Sequence, residues 1–223
     1  MKDHLKKSSE TSKPVRLFWK FFLYAWSAVF LLILLIYVGL FGKLPSIEEL
    51  ENPSMMSSSE IYADDGTMMG KFYLKDRINV KYQDISPNVI RALVSTEDER
   101  FYEHSGIDIK SLLRAIVFLG SEGGASTITQ QLARTVFLSQ DRTIIRKLKE
   151  ALLAGKLERQ LSKAQILTEY LNVVYLGSSA YGVSDAAWIY FSKTPDQLNL
   201  EEAALIAGLP PAPSVYSPLV NTD

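Results

Sequence analysis

From Phe21 to Gly42 the chain reads FFLYAWSAVFLLILLIYVGLFG, with no charged residue. At about 1.5 Å rise per residue, such a run crosses a hydrocarbon core of about 30 Å, which predicts a single transmembrane helix over 21–42. A cleaved signal peptide has a shorter apolar stretch of about 7 to 15 residues and a small-x-small cleavage site, and no such site follows here. Lys2, Lys6, Lys7, Lys13, Arg16 and Lys20 precede the run, whereas Lys43 is followed by Glu48, Glu49 and Glu51. That asymmetry predicts a cytoplasmic tail over 1–20 and an outer portion after 42. The polar stretch KLPSIEELENPSMMS, 43–57, reads as a linker, and 58–223 as one globular domain.

The outer domain has few reagents. The chain has no cysteine, so disulfides, thiol nucleophiles and thiolate metal sites are excluded. His4 and His104 are the two histidines, too few for a histidine-built metal cluster. A net charge of −1 leaves no basic excess to displace counterions from phosphates, which argues against nucleic acid as a partner. Chemistry must come from carboxylates, amides, hydroxyls, lysine and arginine.

Asp65-Gly66, between two short mixed runs, is a hairpin signal. After Ser86 the pattern is helical. Ser86-Pro87 is a cap and first-turn pair ahead of Ile90, Leu93 and Val94. Asp108 opens a helix carrying Ile109, Leu112, Leu113, Ile116 and Val117 on one face, stopped near Gly120. Helices are predicted over 127–138, 143–161 and 162–176, the last with Ser162 and Gln165 as a capping box. Asn199 caps another with Glu202 at the third position, ended by Gly208 and Pro210. The fold class is therefore mainly α.

Continuing Ile90, Leu93 and Val94 by helical steps reaches Glu97 and then Phe101, so a carboxylate stands on the apolar stripe at the end of a helix. Burial raises a carboxyl pKa and a helix C-terminus adds to the rise, which suits a general acid or base near neutral pH. A capping or salt-bridged glutamate, with Arg100 as partner, fits the same spacing. A second carboxylate, Glu150, shares a face with Arg146, Leu153 and Leu157. Two partly buried carboxylates from separate helices are suited to chemistry at a sugar's anomeric carbon. Between them, Gly123 and Gly124 allow a tight turn, and Ser126, Thr127, Thr129, Gln130 and Gln131 offer donors and acceptors for carbohydrate hydroxyls, or simply a helix cap. Arg134, Arg142, Arg146 and Lys147 follow closely; guanidinium forks suit a diphosphate, and a solvated helix face fits equally.

With these residues in view, the sequence resembles the peptidoglycan glycosyltransferase domain of class A penicillin-binding proteins and monofunctional peptidoglycan glycosyltransferases. The similar segments are EDERFYEHSG from Glu97, GASTITQQ from Gly124, RKLKE from Arg146, KAQILTEYLNVVYLG from Lys163, and YGVSDAAWIYFSK followed by EEAALIAGLPPAPSVYSP; together they cover about residues 58 to 220. The resemblance implies a lysozyme-like glycosyltransferase domain with a small membrane-proximal lobe, preceded by the transmembrane helix and lying outside the bacterial inner (cytoplasmic) membrane. It implies lipid II and the growing glycan strand as substrates. Glu97 would deprotonate the acceptor's 4-hydroxyl, which attacks the anomeric carbon of the strand with inversion to a β-1,4 linkage. Glu150 would assist departure of the polyprenyl diphosphate, directly or through a divalent metal ion, Mg or Mn. Arg134 and Arg142 would hold the diphosphate. Asp98, Phe101 and His104 would shape the base's site, and Ser126, Thr127, Gln130, Gln131, Arg146, Lys147, Asn172 and Tyr175 would line or brace the groove.

The chain departs from the family pattern at Ala125, where glycine is usual, at Arg134, where lysine is frequent, and at Ser192, where glycine is common. None of these touches the two glutamates. Two other readings use fewer residues: a lysozyme-like peptidoglycan hydrolase, from the carboxylate pair alone, and a non-catalytic binding module among the proteins of a cell-wall synthesis complex, from the anchor and linker. The absence of a Ser-x-x-Lys motif suits either a monofunctional enzyme or, preferably, the front part of a bifunctional protein cut before a transpeptidase domain. Residues 109–119, IKSLLRAIVFL, fit either ordinary core packing or a surface that dips into the bilayer interface.

Overall fold

The computed structural model describes residues 13–42, 44–45, 59–62, 68–72, 79–118, 124–138 and 143–220. It divides into two compact units, 1–44 and 45–223.

Among the described residues the first unit contains one helix, α1 (Lys13–Val38), long and apolar enough to cross a membrane. It begins eight residues before the uncharged run, because Pro14 suits a first turn and Arg16 and Lys20 are good helix formers. It also ends earlier, at Val38. Gly39, at φ +90°, lets its N–H reach Ile36 O while Leu40 N–H reaches Leu35 O, a left-handed closure that uses up two terminal carbonyls. Of the tail expected over 1–20, residues 13–20 belong to this helix, and residues 1–12 and most of the linker lie outside the described residues.

The second unit opens with an antiparallel hairpin, β1 (Ser59–Tyr62) and β2 (Met68–Phe72), with an irregularity between Ile61 and Tyr62. The pairing agrees with the hairpin signal; Asp65 and Gly66 themselves lie outside the described residues. The rest of the unit is helical, starting with α2 (Pro87–Glu97). Ser86 starts it twice over: its Oγ accepts from Asn88 N–H at 3.3 Å and donates to Leu198 O at 2.9 Å, fixing the helix start to the turn before a later helix. Next come α3 (Ile109–Val117), α4 (Ile128–Phe137), α5 (Ile144–Gln160) and α6 (Lys163–Val173). The chain finishes with α7 (Val183–Phe191), α8 (Leu200–Gly208) and a single turn, α9 (Pro213–Tyr216).

Helix α6 ends at Val173, three residues short of its predicted end. Val174 is extended, and Tyr175 then bridges to Tyr181 around a turn whose Gly177, Ser178, Ser179 and Gly182 all have positive φ. Capping boxes at Thr127, Ser162 and Asn199 set the starts of α4, α6 and α8.

Two helix groups make the core. Helix α2 packs on α8, and α4 packs on both α5 and α6. Their buried faces carry Val89, Ile90, Leu93 and Val94 from α2, Ile128, Leu132 and Ala133 from α4, Leu153, Ala154 and Leu157 from α5, and Ile166, Leu167, Tyr170 and Leu171 from α6. Each large apolar side chain among them contributes about 1.5 to 3 kcal/mol by leaving water. Helix α3 differs: Ile109, Leu112, Leu113 and Val117 are exposed, as is Phe118 beyond it, so the core-packing alternative does not describe this face.

The loop 98–108, joining α2 to α3, passes over α5 at Gly106. This glycine has φ +93°, and a β-carbon there would come within 2.8 Å of the carbonyl carbon and oxygen of Ala154. Its own carbonyl accepts from Thr127 Oγ1 at 2.6 Å, so one glycine joins the loop, α4 and α5. Gly106→Ala should cost about 2 to 4 kcal/mol, from a left-handed alanine plus a backbone clash, measured as a lowered urea midpoint with an unchanged slope.

Candidate active site

Glu97 is the last residue of α2 and lines a cavity of about 220 Å3 with Ser95, Arg100, Asp108, Gly124 and Ser126. Its two oxygens have different surroundings. Oε2 accepts a hydrogen bond of 2.7 Å from Gln131 Nε2 on α4, while Oε1 is buried without a partner. Burial pushes the carboxyl above its ordinary 4.5 and Asp98 adds to the rise; the Gln131 hydrogen bond and the Arg134 charge oppose it, and the rise prevails. Arg100 is not its partner. That guanidinium turns to Asp108 at 2.6 Å, and Asp108 also caps α3, accepting from Lys110 N–H and Ser111 N–H. Burial alone would raise the Asp108 carboxyl, yet bonds from Ser111 and Arg100 outweigh it and hold it at about 2.

Glu150 has the opposite environment. It is 1% exposed, and both oxygens accept from cations of its own helix: Oε1 from Arg146 Nη1 and Oε2 from Lys147 Nζ at 2.8 Å. Lys147 Nζ also donates to Ser126 Oγ at 2.7 Å. Ser126 therefore stands at the wall of the Glu97 cavity and touches the cation that Glu150 holds, so the two glutamates are linked through Ser126 and Lys147 rather than facing each other directly.

The other expected site residues divide into bracing and lining groups. Asp98 is buried and accepts from His104 Nε2 at 2.9 Å and from Ile128 N–H, the first amide of α4, at 3.0 Å. Gly106 N–H donates to His104 Nδ1, which assigns the ring proton to Nε2. Phe101 is fully buried, with Lys163 Nζ 4.2 Å above its ring and that ammonium bonded to His104 O and Glu158. Asp98 also lines the Glu97 cavity, whereas Phe101 and His104 lie behind it. Thr127 and Gln130 form the α4 capping box and are spent on it: Gln130 Oε1 accepts from Thr127 N–H, and Thr127 Oγ1 accepts from Gln130 N–H. Gln131, next in the chain, is left to reach Glu97.

Arg134 and Tyr175 line a second cavity of about 440 Å3 on the far side of Gln131, with Tyr170 and Tyr181. The rings of Tyr175 and Tyr181 stand 4.8 Å apart. Asn172 is not brought to either cavity; its amide is taken by Val80, whose N–H donates to Oδ1 at 3.0 Å and whose carbonyl accepts from Nδ2 at 3.1 Å. Arg142 lies outside the described residues.

Sequence reasoning missed Tyr170, which donates to Gln131 Oε1 at 3.0 Å; Thr129, read there as offering its hydroxyl to a carbohydrate, instead donates to Glu158 at 2.6 Å and ties α4 to α5. The signal for Tyr170 was a tyrosine on the buried face of α6, since a buried phenol needs a hydrogen-bond partner. The donor set around Glu150 does not fit a divalent cation: both oxygens are already engaged by positive side chains, and no three Asp, Glu, His or Cys gather among the described residues.

A family model described as transglycosylase matches residues 65–223. Penicillin-binding protein 1A of Escherichia coli (strain K12) is 48% identical over 185 residues, 81% of this chain and 22% of that protein. Penicillin-binding protein 1A of Aquifex aeolicus (strain VF5) is 42% identical over 200 residues, 88% of this chain and 28% of that protein. The chain thus spans about a quarter of the length of these relatives. A crystal structure of penicillin-binding protein 1A from Haemophilus influenzae is similar at 26% identity over 74% of this chain and 16% of that one, with a TM-score of 0.36, too low to support a comparison of folds.

The contrast between the glutamates has a measurable sign. Glu150→Gln should lower stability by about 2 to 4 kcal/mol, less than for a wholly buried pair because Lys147 is half-exposed. Glu97→Gln removes a half-buried charge whose hydrogen-bond donor is neutral, and should leave the melting temperature unchanged or raise it.

Proposed function

The chain belongs to the transglycosylase family, and from that premise we propose that it is the glycosyltransferase part of a membrane-anchored peptidoglycan synthase, joining lipid II into β-1,4-linked glycan strands. The observation that carries this reading is the division between the two carboxylates: Glu97 lines a cavity and has one oxygen without a hydrogen-bond partner, while Glu150 is saturated by cations.

Glycosyl transfer from a diphosphate has two needs. A weakly acidic hydroxyl must lose its proton, and negative charge must be stabilised on the leaving group. Glu97 Oε1 takes the proton of the acceptor's 4-hydroxyl while Oε2 stays with Gln131. Burial makes this carboxylate a stronger base than an exposed one. The acceptor oxygen forms its bond to the anomeric carbon of the strand as the bond from that carbon to the polyprenyl diphosphate breaks, with inversion.

The leaving electron pair stays on the diphosphate, which meets Lys147 and Arg146. Glu150 acts through these two cations, and holds Lys147 beside Ser126 of the cavity wall. Arg134 adds positive charge from the adjoining cavity, and the resemblance gives Arg142 a part in holding the diphosphate. A hydrolase built on paired carboxylates would need the second one free, and Glu150 is fully engaged.

The same reading sets helix α1 in the cytoplasmic membrane with the N-terminus inside and the catalytic unit outside, where a lipid-borne substrate is presented. The exposed apolar face of α3 and Phe118 suits the bilayer interface.

With purified lipid II, the chain should produce glycan polymer, and Glu97→Gln should reduce the rate about 10² to 10⁴-fold. Muropeptide release from finished peptidoglycan, without use of lipid II, would exclude this function. Replacing Leu112 and Val117 with serine should weaken liposome binding of residues 45–223 by about tenfold or more, read by co-sedimentation, with the melting temperature retained because both side chains are exposed.

A further inference from the structure

Tyr170 lies on α6, is 1% exposed, and donates to Gln131 Oε1 at 3.0 Å; Gln131 Nε2 donates in turn to Glu97 Oε2 at 2.7 Å. A glutamine amide has an acceptor end and a donor end of nearly equal size, and whichever end meets a carboxylate decides between attraction and repulsion. The far end of this chain of hydrogen bonds determines the choice. Burial, reinforced by the Glu97 charge and only partly offset by Arg134, pushes the phenol far above its ordinary 10.0, so it keeps its proton and remains a donor. With Oε1 occupied by that donor, the amide NH2 is the end left for Glu97.

We propose that Tyr170 is a positioning residue for the base: by pinning the Gln131 amide it keeps a donor on Glu97 Oε2 and leaves Oε1 as the oxygen without a hydrogen-bond partner. The inference rests on Glu97 being the general base of the transfer.

The charged and titratable groups around Glu97 are Asp98 beside it in the chain, Arg134 on α4, Tyr170 on α6, and Glu99, Arg100, Asp108 and Arg114 around the cavity. Tyr170→Phe leaves all the charges in place and removes one neutral hydroxyl. Any change in the titration of Glu97 in that variant therefore reports the hydrogen-bond chain. Without the pin, the amide rotates and spends time with its oxygen toward the carboxylate. The charged form loses its donor for that time, so the Glu97 pKa, already raised, rises further.

The test is kcat/KM for lipid II against pH with the full chain in vesicles. In Tyr170→Phe the acid limb should move up by about half to one pH unit, a threefold to tenfold loss on the limb, with KM unchanged. Gln131→Leu should move it at least as far, and the double variant no further than Gln131→Leu alone, because Tyr170 acts only through Gln131. Fluorotyrosine at position 170 retains the ring and strengthens the donor, so it should move the limb down even if the phenylalanine variant folds poorly. A uniform loss at every pH, an unmoved limb in the folded variants, or additive shifts in the double variant would overturn the inference. A wild-type chain that makes no polymer, or a Glu97→Gln variant that still does, would instead overturn the reading on which it rests.

Discussion

The site depends on one half-buried carboxylate standing at a helix end without an ion pair to neutralise it. A charged group in such a place normally pairs or loses its charge. Glu97 does neither completely: it receives one neutral hydrogen bond from Gln131, and the nearest guanidinium in sequence, Arg100, is drawn away by Asp108. The diversion is structural. Asp108 is placed to cap α3, and its two-oxygen contact with Arg100, at 2.8 and 2.6 Å, leaves Glu97 to the amide. A salt bridge there would have given a carboxylate with less affinity for protons.

Glu150 shows the other solution to the same problem. Two successive cations, Arg146 and Lys147, close on it from its own helix, and Ser126 holds the outer one from a neighbouring segment. A buried anion so compensated holds positive charge at a fixed place on the cavity wall. Similar side chains thus serve opposite purposes, and the difference lies in their neighbours.

Much of this was legible in the sequence, because it is encoded locally. Caps at Ser86, Thr127, Ser162 and Asn199, and apolar stripes at helical spacing, set the starts of the helices and which faces are buried. Glu97 and Glu150 stand out as carboxylates on those stripes. Contacts between distant segments were not legible. The pairing of Arg100 with Asp108 instead of Glu97, the approach of Gly106 to Ala154, the capture of Asn172 by Val80 and the reach of Tyr170 to Gln131 each depend on tertiary placement. The split between Gln130 and Gln131 is intermediate: two adjacent glutamines exceed what a cap requires, and the fold decides which is the cap and which reaches the carboxylate. The early end of α6 was hidden for a different reason. The left-handed residues at 177–179 and 182 turn the chain back, and of these only Gly177 and Gly182 announce it by residue type.

Asp98, immediately after Glu97, accepts from the first amide of α4. An uncovered helix N-terminus behaves as about half a positive charge and would favour ionisation of any carboxylate nearby. Since Asp98 sits at that terminus, it screens its neighbour from the attraction while adding a negative charge of its own. Two consecutive acidic residues thereby divide the electrostatic labour, the second satisfying the helix so that the first retains its affinity for protons.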